Sequence, residues 1–208
     1  MSPKEILRQN IKKTLENVAP GEFQSGGIGA AVLLRSSPVW LKYRTVFLFL
    51  SMHSEIDTQP LVEAALKEGK KIFAPRVDAD RLIFCPLLSP DGPWHRGPFG
   101  IREPAKLPRI AVNGTGSTTG ERRSAEPEDF PALILAPGMA FDREGNRLGH
   151  GKAYYDRFFA ELDARNLRYT ALGLCMDFQI VPEVPVGEHD KKMDGLLTGK
   201  ELYFVKIK

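Results

Sequence analysis

The stretch from Leu133 to Phe159 constrains this chain more than any other. It reads LILAPGMAFDREGNRLGHGKAYYDRFF: an apolar run, Pro137-Gly138, a glycine-rich basic loop, then a segment with helical spacing. The run is a buried strand by pattern, and a strand followed by a helix is the repeating unit of layered α/β domains. A strand that feeds a glycine-rich turn and a helix N-terminus also collects anions. Backbone N–H groups and the positive end of the helix dipole converge there, and the usual occupant is phosphate. Arg147, His150 and Lys152 add positive side chains to the same loop.

The loop matches neither of the two common phosphate signatures. A P-loop ends in Gly-Lys-Ser/Thr, whereas Gly151-Lys152 is followed by Ala153. A dinucleotide fingerprint wants a third glycine where Tyr154 stands after Gly149-x-Gly151. Taken singly, Gly145, Gly149 and Gly151 do no more than permit turns. The informative unit is the whole string, with Asp142, Asn146, Arg147, Lys152, Tyr154, Tyr155 and Asp156 at fixed offsets.

Composition removes several function classes. Lys+Arg 29 against Asp+Glu 26 leaves a net charge of +3, enough for anionic small molecules and too little for a nucleic-acid surface. No basic stripe with interleaved aromatics is present either. Cys85 and Cys175 are the only cysteines and both lie in apolar segments, so two buried thiols are expected rather than a disulfide or a metal site. His53, His95, His150 and His189 stand in unrelated contexts, without a Ser-His-Asp or Cys-His arrangement. No apolar run approaches 18 residues and no leader pattern opens the chain, so the expectation is no membrane association and a cytoplasmic location.

Along the chain, strands and helices alternate. Pro3 to Val18 has helical spacing, with Ser2 placed to cap it and Pro3 at the first helical position. A second helix is expected over Phe23 to Arg35. Thr45 to Leu50 is a continuous apolar run suited to a strand buried on both faces. Thr58 to Lys67 follows as a helix with Thr58 as its cap and Gly69 as its stop. Further strands are expected at Lys71 to Ala74, Arg81 to Leu87, Ala132 to Ala136, Arg168 to Met176 and Glu201 to Ile207, with a helix over Lys152 to Asn166. This is one α/β domain over residues 1–208, a largely parallel central sheet flanked by helices. Residues 105–130, rich in Gly, Ser and Thr, break the alternation and read as a mobile insertion, an active-site lid being the alternative.

The string F-D-x-x-G-N-R-L-G-x-G-K-x-Y-Y-D resembles the signature of the 5-formyltetrahydrofolate cyclo-ligases, also called methenyltetrahydrofolate synthetases. Other matches lie in the expected order: Lys4 and Arg8 as K-x-x-x-R, Phe49 to Met52 followed by Glu55 to Thr58, Ala74-Pro75-Arg76, Gly100 to Pro104, and Pro185 to Asp194. The resemblance implies a NagB/RpiA/CoA transferase-like fold and a monomer acting on small molecules of one-carbon metabolism, 5-formyltetrahydrofolate and Mg-ATP. It implies that ATP phosphorylates the formyl oxygen, that the neighbouring anilino nitrogen closes the ring, and that ADP and phosphate leave. Such chemistry asks the protein for charge neutralisation and positioning, with no covalent nucleophile.

Roles follow from residue type and position. Arg147, a fork donor, and Lys152, a point charge, flank Gly149-x-Gly151 and suit a triphosphate or a transferring phosphoryl group; they are the candidate catalytic pair. Lys4 and Arg8 share one helix face, which is either a solvated basic face or, by resemblance, a contact to nucleotide phosphates. With Gly149, His150, Gly151, Ala153, Tyr154, Tyr155 and Asp156 they complete the expected ATP site. Asp156 in the first helical turn serves the helix dipole, holds Mg²⁺, or both, and Asp190 is the second expected magnesium ligand by resemblance. Tyr154 and Tyr155 cannot share a helix face, so at least one packs in the core while the other is free to stack on a ring.

Met52 and Glu55 follow a buried strand, where ligands sit in open α/β sheets. Glu55 is expected to accept from the donor edge of a reduced pterin, and turn chemistry with Asp57 and Thr58 is the plainer alternative. Pro75-Arg76 and Phe99-Gly100-Ile101-Arg102 are expected second-line folate contacts, Tyr155 is expected to touch the substrate as well as ATP, and Trp94 either walls the folate pocket or packs structurally. One position departs from the family string, which has glycine where this chain has Ala153. Because Ala153 is expected at the helix start with negative φ, the substitution is expected to be tolerated. A diverged, non-catalytic folate- or nucleotide-binding relative is the alternative reading.

Overall fold

The computed structural model describes residues 1–79, 81–92, 94–97, 102–104 and 125–205. Its centre is a seven-stranded sheet in the order β11-β10-β9-β6-β1-β2-β3. The strands are β1 (Thr45–Leu48), β2 (Lys71–Asp78), β3 (Arg81–Pro86), β6 (Ala132–Ala136), β9 (Tyr169–Leu174), β10 (Gly195–Leu197) and β11 (Leu202–Phe204). The four inner pairings are parallel, and antiparallel partners close the two edges: β3 on β2 and β11 on β10. Two short hairpins, β4 (Trp94–Arg96) with β5 (Arg102–Pro104) and β7 (Ala140–Phe141) with β8 (Arg147–Leu148), stand outside it. The largely parallel sheet expected from the sequence is present.

The apolar runs are explained by which face each residue serves. In β1, Val46 and Leu48 join one core while Phe47 joins the other. In β6, Leu133 and Leu135 alternate with Ala132, Ile134 and Ala136 in the same manner. Both strands are buried at every residue, as period-two side chains under two helical layers must be. Helices α2 (Pro20–Arg35), α3 (Pro38–Lys42) and α4 (Gln59–Lys67) cover the first face through Leu34, Trp40 and Leu61. Helix α5 (Tyr154–Ala164) covers the second through Phe158, Phe159 and Leu162. Helix α1 (Pro3–Leu15) lies apart, packing Ile11 with Met139, Ala140, Leu148 and Val184.

Several boundaries differ from the sequence expectation. Ser2 caps α1 as expected, in a reciprocal box with Glu5. Thr58 precedes α4 but makes no side-chain cap bond; its Oγ1 instead accepts from the Ser51 N–H at 3.1 Å, and Asp57 Oδ1 receives the Gln59 N–H at 2.9 Å. Strand β2 continues to Asp78 because β3 pairs along its whole length. In the polar interval, 105–124 falls outside the described residues, whereas Pro127–Asp129 forms a 3-10 turn rather than a free loop. Asp129 is 5% exposed and receives Lys71 Nζ at 2.8 Å, which ties this turn to the sheet. Cys85 and Cys175 are buried and not joined in a disulfide, and burial pushes the Cys175 thiol up. Among the described residues, no helix is long and apolar enough to cross a membrane.

Topology then fixes where a ligand can sit. From β1 the chain crosses through α4 to β2 on one side; from β6 it crosses through α5 to β9 on the other. β1 and β6 are neighbours, so the connections diverge between them and open a crevice beyond their carboxyl ends.

Candidate active site

A cleft of about 370 Å³ occupies this crevice. One wall is apolar: Phe49 and Leu50 after β1, Pro75 and Val77 of β2, and Leu82 of β3. The facing wall is the glycine loop and the first turn of α5, from Arg147 to Asp156. A mostly apolar cavity with a few convergent polar groups is the usual form of a small-molecule site. Met52 and Glu55 close it from the β1–α4 loop.

Arg147 is the anchor of the polar wall. It sits on β8, its side chain only 4% exposed, and its Nη2 donates to Asp156 Oδ1 at 2.7 Å. Nη1 lies 3.3 Å from the Pro137 carbonyl oxygen, so the guanidinium also clasps the end of β6. A Cβ built at Gly149 would stand 3.0 Å from Arg147 Nη1, so a side chain there would press on the guanidinium. Lys152 is exposed on the loop beside the pair. Asp156 receives the Lys191 N–H at 3.4 Å on the same Oδ1.

Helix α1 docks on the outside of the loop. Arg8 Nε donates to the Gly149 carbonyl at 2.9 Å, and the guanidinium lies against Gly151, whose φ of +96° only glycine adopts without strain. Lys4 Nζ forms an ion pair with Asp190, whose Oδ2 also receives the Gly187 N–H at 2.7 Å. Burial alone would raise the Asp190 carboxyl; the hydrogen bonds from Lys4 and Gly187, with the charges of Lys4 and Arg147, outweigh it and hold the group below its ordinary value. Stability from a depressed carboxyl is complete above the unfolded pKa of about 3.9 and is lost as pH falls through the lower folded value. Protection of the α1 amides, taken relative to their intrinsic exchange rates, is therefore expected to fall on acidification below about pH 4. In Lys4→Ala the lower protection should already be present at neutral pH.

Glu55 is 11% exposed and holds its own loop by accepting the Met52 N–H at 2.9 Å. Its Oε1 lies 3.6 Å from His150 Nε2, across the cleft on the glycine loop. The turn role and the cleft position foreseen for Glu55 therefore coexist. Tyr155 packs among Phe84, Phe158 and Phe159 and also lines the cleft, whereas Tyr154 is half-buried with the Arg157 guanidinium 5.3 Å from its ring centre. One aromatic is core and the other stays at the half-buried edge of the helix.

The cleft omits some residues singled out in the sequence and includes others. Arg76 does not line it, because alternate residues of β2 face opposite sides and its neighbours Pro75 and Val77 take the cleft face. Trp94 packs against the core on the α2–α4 side of the sheet. Gly100 and Ile101 lie outside the described residues. Lys4, Arg8 and Asp190 stand behind the loop rather than in the cleft. Pro75, expected beside Arg76 as a second-line contact, does line the cleft; Val77, Leu82, Glu103 and Pro137 were not foreseen, and for the β2 and β3 residues the register had to be read first.

The largest correction concerns Ala153. It is the N-cap of α5 in the left-handed conformation, φ 52°, ψ 24°, not a helical residue with negative φ. The helix begins one residue later, at Tyr154, so the loop must turn at the very position where the family string has glycine. A methyl group there costs about 1–2 kcal/mol, of which glycine's greater unfolded freedom offsets about 0.5–1. Ala153→Gly is expected to stabilise the chain by about 0.5–1 kcal/mol, read as a higher urea midpoint with unchanged slope.

A sequence profile of the 5-formyltetrahydrofolate cyclo-ligase family matches residues 1–199. The chain belongs to that family. It is 29% identical to the 5-formyltetrahydrofolate cyclo-ligase of Mus musculus over 204 residues, covering 95% of this chain and 85% of the mouse protein. The Escherichia coli cyclo-ligase is 28% identical over 196 residues, covering 93% of this chain and 98% of the bacterial one. Among solved structures, the Aquifex aeolicus 5,10-methenyltetrahydrofolate synthetase superposes with a TM-score of 0.76 at 29% identity, covering 100% of this chain and 95% of its own. The Mycoplasma pneumoniae synthetase, with a TM-score of 0.66 and 18% identity, shares the fold. These relatives are ligases, and the range matched by the family profile includes the whole glycine loop.

Proposed function

We propose that this chain converts 5-formyltetrahydrofolate and ATP into 5,10-methenyltetrahydrofolate, ADP and phosphate. The observation that carries the reading is the two-sided cleft: an apolar wall from β1–β3 faces a cationic glycine loop at a topological switch point. A reduced pterin fits against Phe49, Leu50 and Met52, while the triphosphate lies along the loop toward the N-terminus of α5. Lys152 and Arg147 neutralise charge on the transferring phosphoryl group. Arg8 holds the loop from behind through the Gly149 carbonyl, Lys4 pairs with Asp190, and both turn toward the nucleotide phosphates when these arrive.

Magnesium belongs with the nucleotide. Mg²⁺ keeps several waters and takes one or two protein carboxylates. Asp156 and Asp190 fit that demand: each binds its cationic neighbour through a single oxygen, Oδ1 and Oδ2 respectively, and has a second to offer. Bound there, Mg²⁺ would neutralise charge on the phosphate chain.

In the first step the formyl oxygen attacks the γ-phosphorus, and the bond from that phosphorus to the ADP oxygen breaks. The anilino nitrogen then bonds to the activated carbon, the carbon–oxygen bond breaks, and the departing phosphate carries the formyl oxygen and takes the nitrogen's proton. Near-ultraviolet methenyl absorbance and phosphate release, followed together, test the proposal. Both signals are expected only when protein, 5-formyltetrahydrofolate and Mg-ATP are all present. Phosphate without methenyl product would redirect the reading to another phosphoryl acceptor.

A further inference from the structure

Tyr155 presents a polar group that the fold does not use. The residue is 8% exposed, yet its hydroxyl is buried without a hydrogen-bond partner among the described residues. Arg147 beside it has a second such donor, Nε, in a side chain 4% exposed, and the guanidinium carbon lies 5.6 Å from the centre of the Tyr155 ring. Buried polar atoms left unpaired cost stability, and phenylalanine would fill the same space among Phe84, Phe158 and Phe159 without that cost. Two orphaned donors, buried just beneath the surface of one cleft whose wall their own residues form, therefore ask for an acceptor that arrives with the ligand.

The surroundings identify the acceptor. Burial, followed by the charge of Glu55, raises the phenol's pKa and outweighs the lowering effect of Arg147, so the hydroxyl stays protonated and donates at any working pH. A neutral, desolvated donor beside a guanidinium suits an oxygen that is weakly charged at first and gains negative charge as a bond breaks. The carboxylate of Glu55 near the phenol disfavours a second full anion there, which argues against a phosphate or glutamate group as the resident partner.

We propose that the Tyr155 hydroxyl, with Arg147 Nε, hydrogen-bonds the formyl oxygen of the substrate. One lone pair of that oxygen is held by these donors while another attacks the γ-phosphorus. In ring closure the same donors stabilise the oxygen as its bond to carbon breaks and it leaves with phosphate. This inference rests on the cyclo-ligase reading of the cleft and assigns within it the group that orients the reacting atom.

Tyr155→Phe tests it. The variant removes only the orphaned hydroxyl, so its melting temperature is expected to equal or exceed that of the parent, and its Kd for Mg-ATP to be unchanged. Its kcat for methenyl formation should fall by about 100-fold, the usual loss on removing one such donor. Retention of kcat within about twofold would overturn the proposal, as would a clear fall in melting temperature, since that would reveal a structural partner for the hydroxyl. Failure of the parent protein to form methenyl product would instead overturn the functional reading, so the two failures are distinguishable.

Discussion

Lys152→Ala is expected to lower the rate of methenyl formation by roughly 10²- to 10³-fold without moving the melting temperature, the range seen when one preorganised electrostatic partner of a transition state is removed. The two halves of this expectation have separate causes. Lys152 is exposed on the glycine loop, so the folded chain loses little when its side chain is cut back. It stands at the mouth of the cleft beside the α5 N-terminus, so a transferring phosphoryl group loses a full positive charge in a partly desolvated setting. Lys152→Arg should recover only part of the rate, because a planar fork cannot occupy the place of a compact ammonium. Single-turnover phosphate release, set against thermal unfolding, checks both halves.

Arg147→Ala is expected to damage stability and activity together. Its side chain is 4% exposed and that of its partner Asp156 is 17% exposed, so removal leaves a largely buried carboxylate without its cation. Breaking such a pair from one side costs about 3 kcal/mol, or roughly 6–12 °C in melting temperature for a domain of this size. The double variant Arg147→Met/Asp156→Leu, which leaves no unpaired charge, should recover most of that stability and none of the turnover. If the double variant is as unstable as the single one, the loss comes from the contact with the Pro137 carbonyl and not from the stranded charge.

The parts of this protein that the sequence made legible are those written by local rules. Ser2 and Pro3 announce the start of α1 because a cap and the N–H groups it serves lie within one helical turn. Ala132 to Ala136 was legible to the residue, since a strand buried on both faces must be apolar throughout. The spacing of Tyr154 and Tyr155 required at least one ring to be buried, and Tyr155 is. Short elements escaped: β7, β8 and β10 are two or three residues long, too brief to carry a period.

What only the tertiary structure decided depends on contacts between segments far apart in the chain. Arg8 reaches the Gly149 carbonyl across 141 positions, and no pattern in either segment names the other. The β2–β3 register, not composition, turned Pro75 toward the cleft and Arg76 away. Arg147 and Asp156 were each marked for phosphate and magnesium, but their pairing appears only once β8 is folded beside the first turn of α5. The left-handed turn at Ala153 is of the same kind. Intrinsic preference places alanine at negative φ, and the loop geometry, pinned by α1 on one side and by Arg147 on the other, overrides it. By itself the sequence determined the layers, the loop and the class of ligand, because periodicity and charge are local properties. The folded chain alone decided which side chains meet, because that is settled by packing between elements whose order in space the residues do not spell out.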